Sequence, residues 1–123
     1  MDQLPYWNHY PWLKNKLEGR RAILDVGCGD GTLCRYLQIS GRTVTGIDAS
    51  PECISHAEAE CLDKTVRFSA CTFADFEAEG NRLDGILFSA SLHHMDMQAA
   101  LEKTVRLLCI GVLYWRYLLS WQK

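Results

Sequence analysis

Ile23-Leu24-Asp25-Val26-Gly27-Cys28-Gly29-Asp30-Gly31 is the stretch on which the fold turns. The run 22–26 is short and apolar, and it stops abruptly at Gly27, the pattern of a buried strand. Beyond Gly31, Leu33, Tyr36 and Leu37 recur at helical spacing, and Gly41 supplies the residue that commonly follows a helix end. Strand, glycine loop and helix follow in that order. Working outward, 43–47 predicts a second strand, then Ser50 as N-cap and Pro51 at the first position of a helix that buries Ile54, Ala57, Cys61 and Leu62. The spans 65–69 and 85–89 predict a third and a fourth strand, separated by a polar stretch near 79–82. Asp96 caps a further helix whose apolar face is Leu101, Val105 and Leu108, and 112–115 predicts the last strand. Strands alternating with helices imply right-handed crossovers, hence an α/β, doubly wound sheet of about five mainly parallel strands with helices on both faces.

At 123 residues the chain has room for one domain, 1–123, around a single core. Apolar residues make up 48% and charged residues 23%, the composition of a folded globular protein. A formal charge of −2 and a pI near 6.0 argue against a nucleic-acid partner, which calls for clustered Lys and Arg. Cys28, Cys34, Cys53, Cys61, Cys71 and Cys109 form no C-x-x-C pair and have no His at zinc-ligand spacing, so they read as small apolar fillers and no metal is expected. Residues 1–10 do not resemble a secretory signal, which fits a reducing cytoplasm. The most apolar stretch, 107–121, is interrupted by Arg116 and falls short of the roughly 20 residues that a membrane span needs. A soluble protein away from membranes is expected.

In a parallel α/β sheet the ligand crevice opens beyond the carboxyl ends of the strands, where strand order reverses. The Gly27–Gly31 loop ends the first strand, where that crevice should lie, and glycine there lets a ligand approach the main chain closely. Asp48 ends the second strand, about 20 residues on, the usual place for an acid that holds ribose hydroxyls. A nucleoside is implied. The loop reads G-x-G-x-G and not the dinucleotide spacing G-x-G-x-x-G. Asp25 and Asp30 bracket it, so a pyrophosphate would be repelled and a cationic nucleoside favoured.

These residues resemble a known family. The stretch 23–31 looks like the first motif of the class I, Rossmann-like S-adenosylmethionine-dependent methyltransferases, and Val44-Thr45-Gly46-Ile47-Asp48-Ala49-Ser50-Pro51 looks like the motif that follows it. The resemblance continues through Leu83-Asp84, Leu92-His93-His94-Met95 and Leu107-Leu108-Cys109-Ile110-Gly111. It implies S-adenosyl-L-methionine as cofactor, S-adenosyl-L-homocysteine as product and a small-molecule methyl acceptor. It also implies that Asp25 and the backbone of Gly27, Cys28 and Gly29 hold the methionine part, that Asp48 takes the ribose hydroxyls, and that Ala49 walls the adenine pocket.

The chain departs from the family pattern in two places. Where the third strand commonly ends in an acid that reads adenine, this chain has Cys71 or Thr72; the Thr72 hydroxyl can still accept a bond, and Phe73 either packs on adenine or belongs to the core. After 112–115 the sheet is expected to lack the family's usual C-terminal strand pair. The exposed edge, flanked by Leu113, Tyr114 and Trp115, is a template for association, so a homodimer or another partner is expected. His93 and His94 follow the fourth strand, and His94, then His93, is the candidate base for a hydroxyl acceptor, the other reading being a His bonded to loop backbone. In the aromatic opening within 1–20, Tyr6, Trp7, His9, Tyr10 and Trp12 form either a helical lid over the methyl donor or a segment packed on the sheet. The alternative to an active methyltransferase is a non-catalytic module that binds S-adenosylmethionine and needs a partner to complete its sheet.

Overall fold

The computed structural model describes residues 10–78, 83–89 and 96–115, with the backbone alone for 109–115. The elements are α1 (Tyr10–Lys16), β1 (Ala22–Val26), α2 (Thr32–Leu37), β2 (Thr43–Asp48), α3 (Pro51–Glu60), β3 (Val66–Ala70), β4 (Leu83–Phe88), α4 (Met97–Leu107) and β5 (Leu108–Trp115). The strands form one five-stranded sheet in the order β3-β2-β1-β4-β5. Each neighbouring pair is parallel. The chain moves outward from β1 through β2 to β3, then crosses back to β4, so strand order reverses between β1 and β4. This is the doubly wound, Rossmann-like α/β arrangement that the alternation of elements predicts.

Side-chain alternation along the central strands divides the core in two. Ile23 and Leu87 point to the face where α1 and α2 bring Leu13, Leu17, Leu33 and Leu37, and Val44 and Val66 continue it beneath Ile54 of α3. Leu24, Val26, Ile47, Ile86 and Phe88 point to the opposite face and meet Ala100 of α4 and Phe73. Helices therefore cover both faces, and the central strands are buried on each side.

Both N-caps read from sequence form. Ser50 Oγ accepts from Cys53 N at 3.3 Å, and Asp96 Oδ1 accepts from Ala99 N at 3.1 Å. Two buried faces differ from expectation. Leu62 lies beyond the end of α3 and is 93% exposed. On α4 the face toward the sheet is Ala100 and Thr104, whereas Leu101 and Val105 are 42% and 73% exposed. Small residues let α4 approach Phe73 and Phe88, and the buried Thr104 hydroxyl is satisfied by donating to Ala100 O at 2.8 Å. The last strand is also longer than the expected 112–115, beginning at Leu108 directly after α4.

Two polar anchors secure the end of the sheet away from the glycine loop. Asp84 accepts from Arg21 N and Ala22 N at the start of β1. The buried Arg42 donates to the carbonyls of Arg20, Leu37 and Leu17 at 2.7–2.8 Å, which joins the ends of α1 and α2 to the start of β2.

Candidate functional site

The carboxyl ends of β1, β2 and β4 converge on the glycine loop. Gly27, Gly29 and Gly31 have φ of 81°, 57° and 80°, left-handed values that side chains other than glycine resist. Around Gly29 a Cβ would meet nothing within 4 Å, so the loop presents open space there. Three amide donors of this loop are already committed. Gly27 N and Cys28 N both donate to Ile47 O, at 2.8 and 3.0 Å, and Gly29 N donates to Asp48 Oδ2 at 3.0 Å. An anion-binding nest needs such amides free and pointing outward. Here they are turned inward.

Asp48 is half-buried and bridges two segments. Its Oδ2 takes the Gly29 amide, and its Oδ1 takes Ser50 N at 2.9 Å. A carboxylate offers about four lone-pair positions, so about two remain for a ligand. Ala49 beside it is exposed.

Asp25, next to last in β1, has 0% of its surface exposed. Its carboxylate accepts from Ser89 Oγ at the end of β4, and from Cys34 Sγ of α2 at 3.6 Å. A hydrogen bond with Cys28, followed by burial and the Asp25 charge, pushes the Cys34 thiol well above its ordinary pKa, so it remains a donor. Asp30, exposed at the loop rim, is held below the usual carboxylate range chiefly by the Thr32 hydroxyl. Three carboxylates thus lie at a loop whose Gly27, Cys28 and Gly29 amides are spent.

The remaining candidates divide clearly. The Cys28 side chain is buried with Cys34, Val44, Ile54 and Val66, and its carbonyl accepts from Gly31 N at 3.0 Å. Thr72 is exposed, while Phe73 is 4% exposed and packs edge-on against Phe88, with centroids 5.2 Å apart. Tyr10 is buried between α1 and α2, its ring 5.3 Å from that of Tyr36. Trp12 is 42% exposed. His93 and His94, together with Tyr6, Trp7 and His9, lie outside the described residues. Ser89 and Cys34, the partners of Asp25, were not among the expected site residues. Only the pairing of β1 with β4, in which Ser89 N donates to Val26 O at 2.9 Å, brings Ser89 to Asp25.

A groove of about 720 Å³ runs over the face of β2 and β3, lined in part by Thr43, Thr45, Arg67 and Ser69. It lies on the sheet face and away from the glycine loop, and its lining mixes those polar side chains with the apolar Ile23, Phe68, Phe76 and Leu83. Among the described residues no His, Cys, Asp or Glu cluster of three is placed to hold a metal, and no helix is long and apolar enough to cross a membrane.

Comparison with known proteins bears on this geometry. Residues 23–111 match the family described as "Methyltransferase domain". The chain is 32% identical over 111 residues to a protein named as a methyltransferase from Geobacillus sp. (strain WCH70), covering 85% of this chain and 45% of that protein. It is 31% identical over 97 residues to the mitochondrial ubiquinone biosynthesis O-methyltransferase of Arabidopsis thaliana, covering 76% of this chain and 30% of the relative. The crystal structure of the plantazolicin methyltransferase BpumL, in complex with a monoazolic desmethylPZN analog and SAH, superposes with a TM-score of 0.77 at 23% identity, covering 89% of this chain and 45% of that one. The chain thus spans less than half the length of these relatives.

Proposed function

The chain belongs to the methyltransferase-domain family, and from that membership we propose that it binds S-adenosyl-L-methionine at the glycine loop and takes part in methyl transfer to a small-molecule acceptor. The observation that carries this reading is the inward commitment of the Gly27, Cys28 and Gly29 amides within a ring of Asp25, Asp30 and Asp48. Carboxylate acceptors beside these committed amides disfavour a pyrophosphate and favour a ligand that carries an ammonium and a sulfonium. When bound, the cofactor would supply a methyl group already activated by its sulfonium.

Each proposed role follows from position. The free lone pairs of Asp48 accept the ribose hydroxyls, and each such charged bond is worth roughly 1.5–3 kcal/mol. Ala49 walls the nucleoside pocket beside it. The backbone of Gly27, Cys28 and Gly29 receives the methionine part over the open space at Gly29, with the buried Asp25 charge beneath favouring the ammonium. Thr72, exposed in the turn after β3, serves the base, while Phe73 backs that turn from the core. Tyr10 seats the N-terminal helix on α2. His94, or His93, follows β4 and takes the proton of a hydroxyl acceptor. The O-methyltransferase relative supports an acceptor of that chemistry.

We assign the protein to the cytoplasm, consistent with free cysteines among the described residues. We further propose that a second copy pairs along β5, which is bonded only to β4 within the described sheet. Calorimetry with S-adenosylmethionine, S-adenosylhomocysteine and NAD tests the cofactor reading. Binding of the two sulfur ligands without NAD is expected, and the reverse pattern would refute it.

A further inference from the structure

Lys103, on α4, directs its ammonium at three main-chain carbonyls of a single turn: Phe73 O at 2.6 Å, Ala74 O at 2.9 Å and Phe76 O at 2.6 Å. The same nitrogen lies 5.2 Å from the centroid of the Phe73 ring. An ammonium has three donors and no acceptor, so its whole hydrogen-bonding capacity is spent on the turn that follows β3. Burial holds the Lys103 pKa below its ordinary value, and the carbonyls offset that desolvation. The turn also closes on itself, since Thr72 Oγ1 accepts from Asp75 N at 3.1 Å and Thr72 O accepts from Phe76 N at 3.0 Å. Upstream it is joined to the site, because Cys71 N donates to Asp48 O at 3.0 Å.

Position in the sheet says what this turn faces. If the ribose sits on Asp48 at the end of β2 and the sulfonium half lies over the loop after β1, the base must extend the opposite way, toward β3. Cys71 and Thr72 follow β3 directly and lead into the turn that Lys103 holds at Phe73, Ala74 and Phe76. Resting on the cofactor reading above, we propose that Lys103 is a positioning residue for base recognition: by gripping the carbonyls of Phe73, Ala74 and Phe76 from α4 it fixes the turn that Thr72 closes, and with it the Cys71–Thr72 backbone where the nucleoside base is read.

Calorimetry on the full chain with S-adenosylhomocysteine and S-inosylhomocysteine, which differ only in the base, tests this. The wild type should prefer the adenine ligand. Lys103→Met should weaken S-adenosylhomocysteine binding by about tenfold and cut the preference between the two ligands by about fivefold, and Lys103→Arg should restore much of both. A purely structural lysine would weaken both ligands alike, and an unchanged ratio overturns the proposal. So does a wild type with no base preference. If the wild type binds neither ligand, the cofactor reading itself fails; if it binds and Lys103→Met binds equally well, the role of Lys103 alone is refuted. Should Lys103→Met not fold, hydrogen exchange on the wild type decides. Protection of 71–76 on adding S-adenosylhomocysteine supports the proposal, and unchanged exchange there overturns it.

Discussion

At Asp48 each carboxylate oxygen already holds one backbone amide, Gly29 N on Oδ2 and Ser50 N on Oδ1, so the same side chain shapes the loop and remains open to a ligand. Asp48→Ala should therefore weaken S-adenosylhomocysteine binding by at least about tenfold, through loss of a charged acceptor. Calorimetry measures this, and an unchanged dissociation constant would remove the ribose role. Asp48 was legible because its place depends on one strand and one crossover, both visible in local pattern. Ser89 was not. Its partner Asp25 is 64 positions away, and only strand pairing brings the two together. Phe73 was open between base and core from sequence, and the ring lies against Phe88. Nothing local to residues 71–76 could announce Lys103, whose three acceptors are 27–30 positions upstream.

Among the elements, the start of α2 shows how closely the loop is packed. Gly31 has φ of 80°, and a Cβ there would lie 2.7 Å from Phe68 Cζ on β3 and 3.1 Å from Ala57 Cβ on α3. Gly31→Ala should destabilise the fold by about 1–3 kcal/mol, combining an unfavourable backbone conformation with overpacking. A lower urea midpoint at constant slope is the expected reading. α4 teaches a different lesson. Two stripes run along this helix, Met97-Leu101-Val105 and Ala100-Thr104-Leu107, and apolar bulk alone points to the first. The sheet takes the second, since its small residues fit against a surface already filled by Phe73 and Phe88. Leu62 was misplaced for a simpler reason: α3 ends at Glu60, so helical spacing no longer applies to it.

For the whole molecule, the order β3-β2-β1-β4-β5 leaves β5 at one edge of the described sheet. The proposed pairing with a second copy uses that edge, since an open strand edge is a template for another strand. Light scattering over a concentration series should show mass rising toward a dimer, whereas a monomer at every concentration would count against pairing through β5. The glycine loop, the acid one crossover later, the N-caps and the alternation of strand and helix are local patterns, set by backbone sterics and hydrophobic periodicity over a few residues. The amino-acid sequence alone was therefore enough to determine the α/β class, the family resemblance and the position of Asp48. Which stripe of α4 faces inward, that Ser89 and Cys34 surround Asp25, and that Lys103 grips the turn after β3 depend on contacts between segments distant along the chain. Tertiary structure alone decided those, because they are settled by which surfaces the folded chain brings within van der Waals and hydrogen-bond reach.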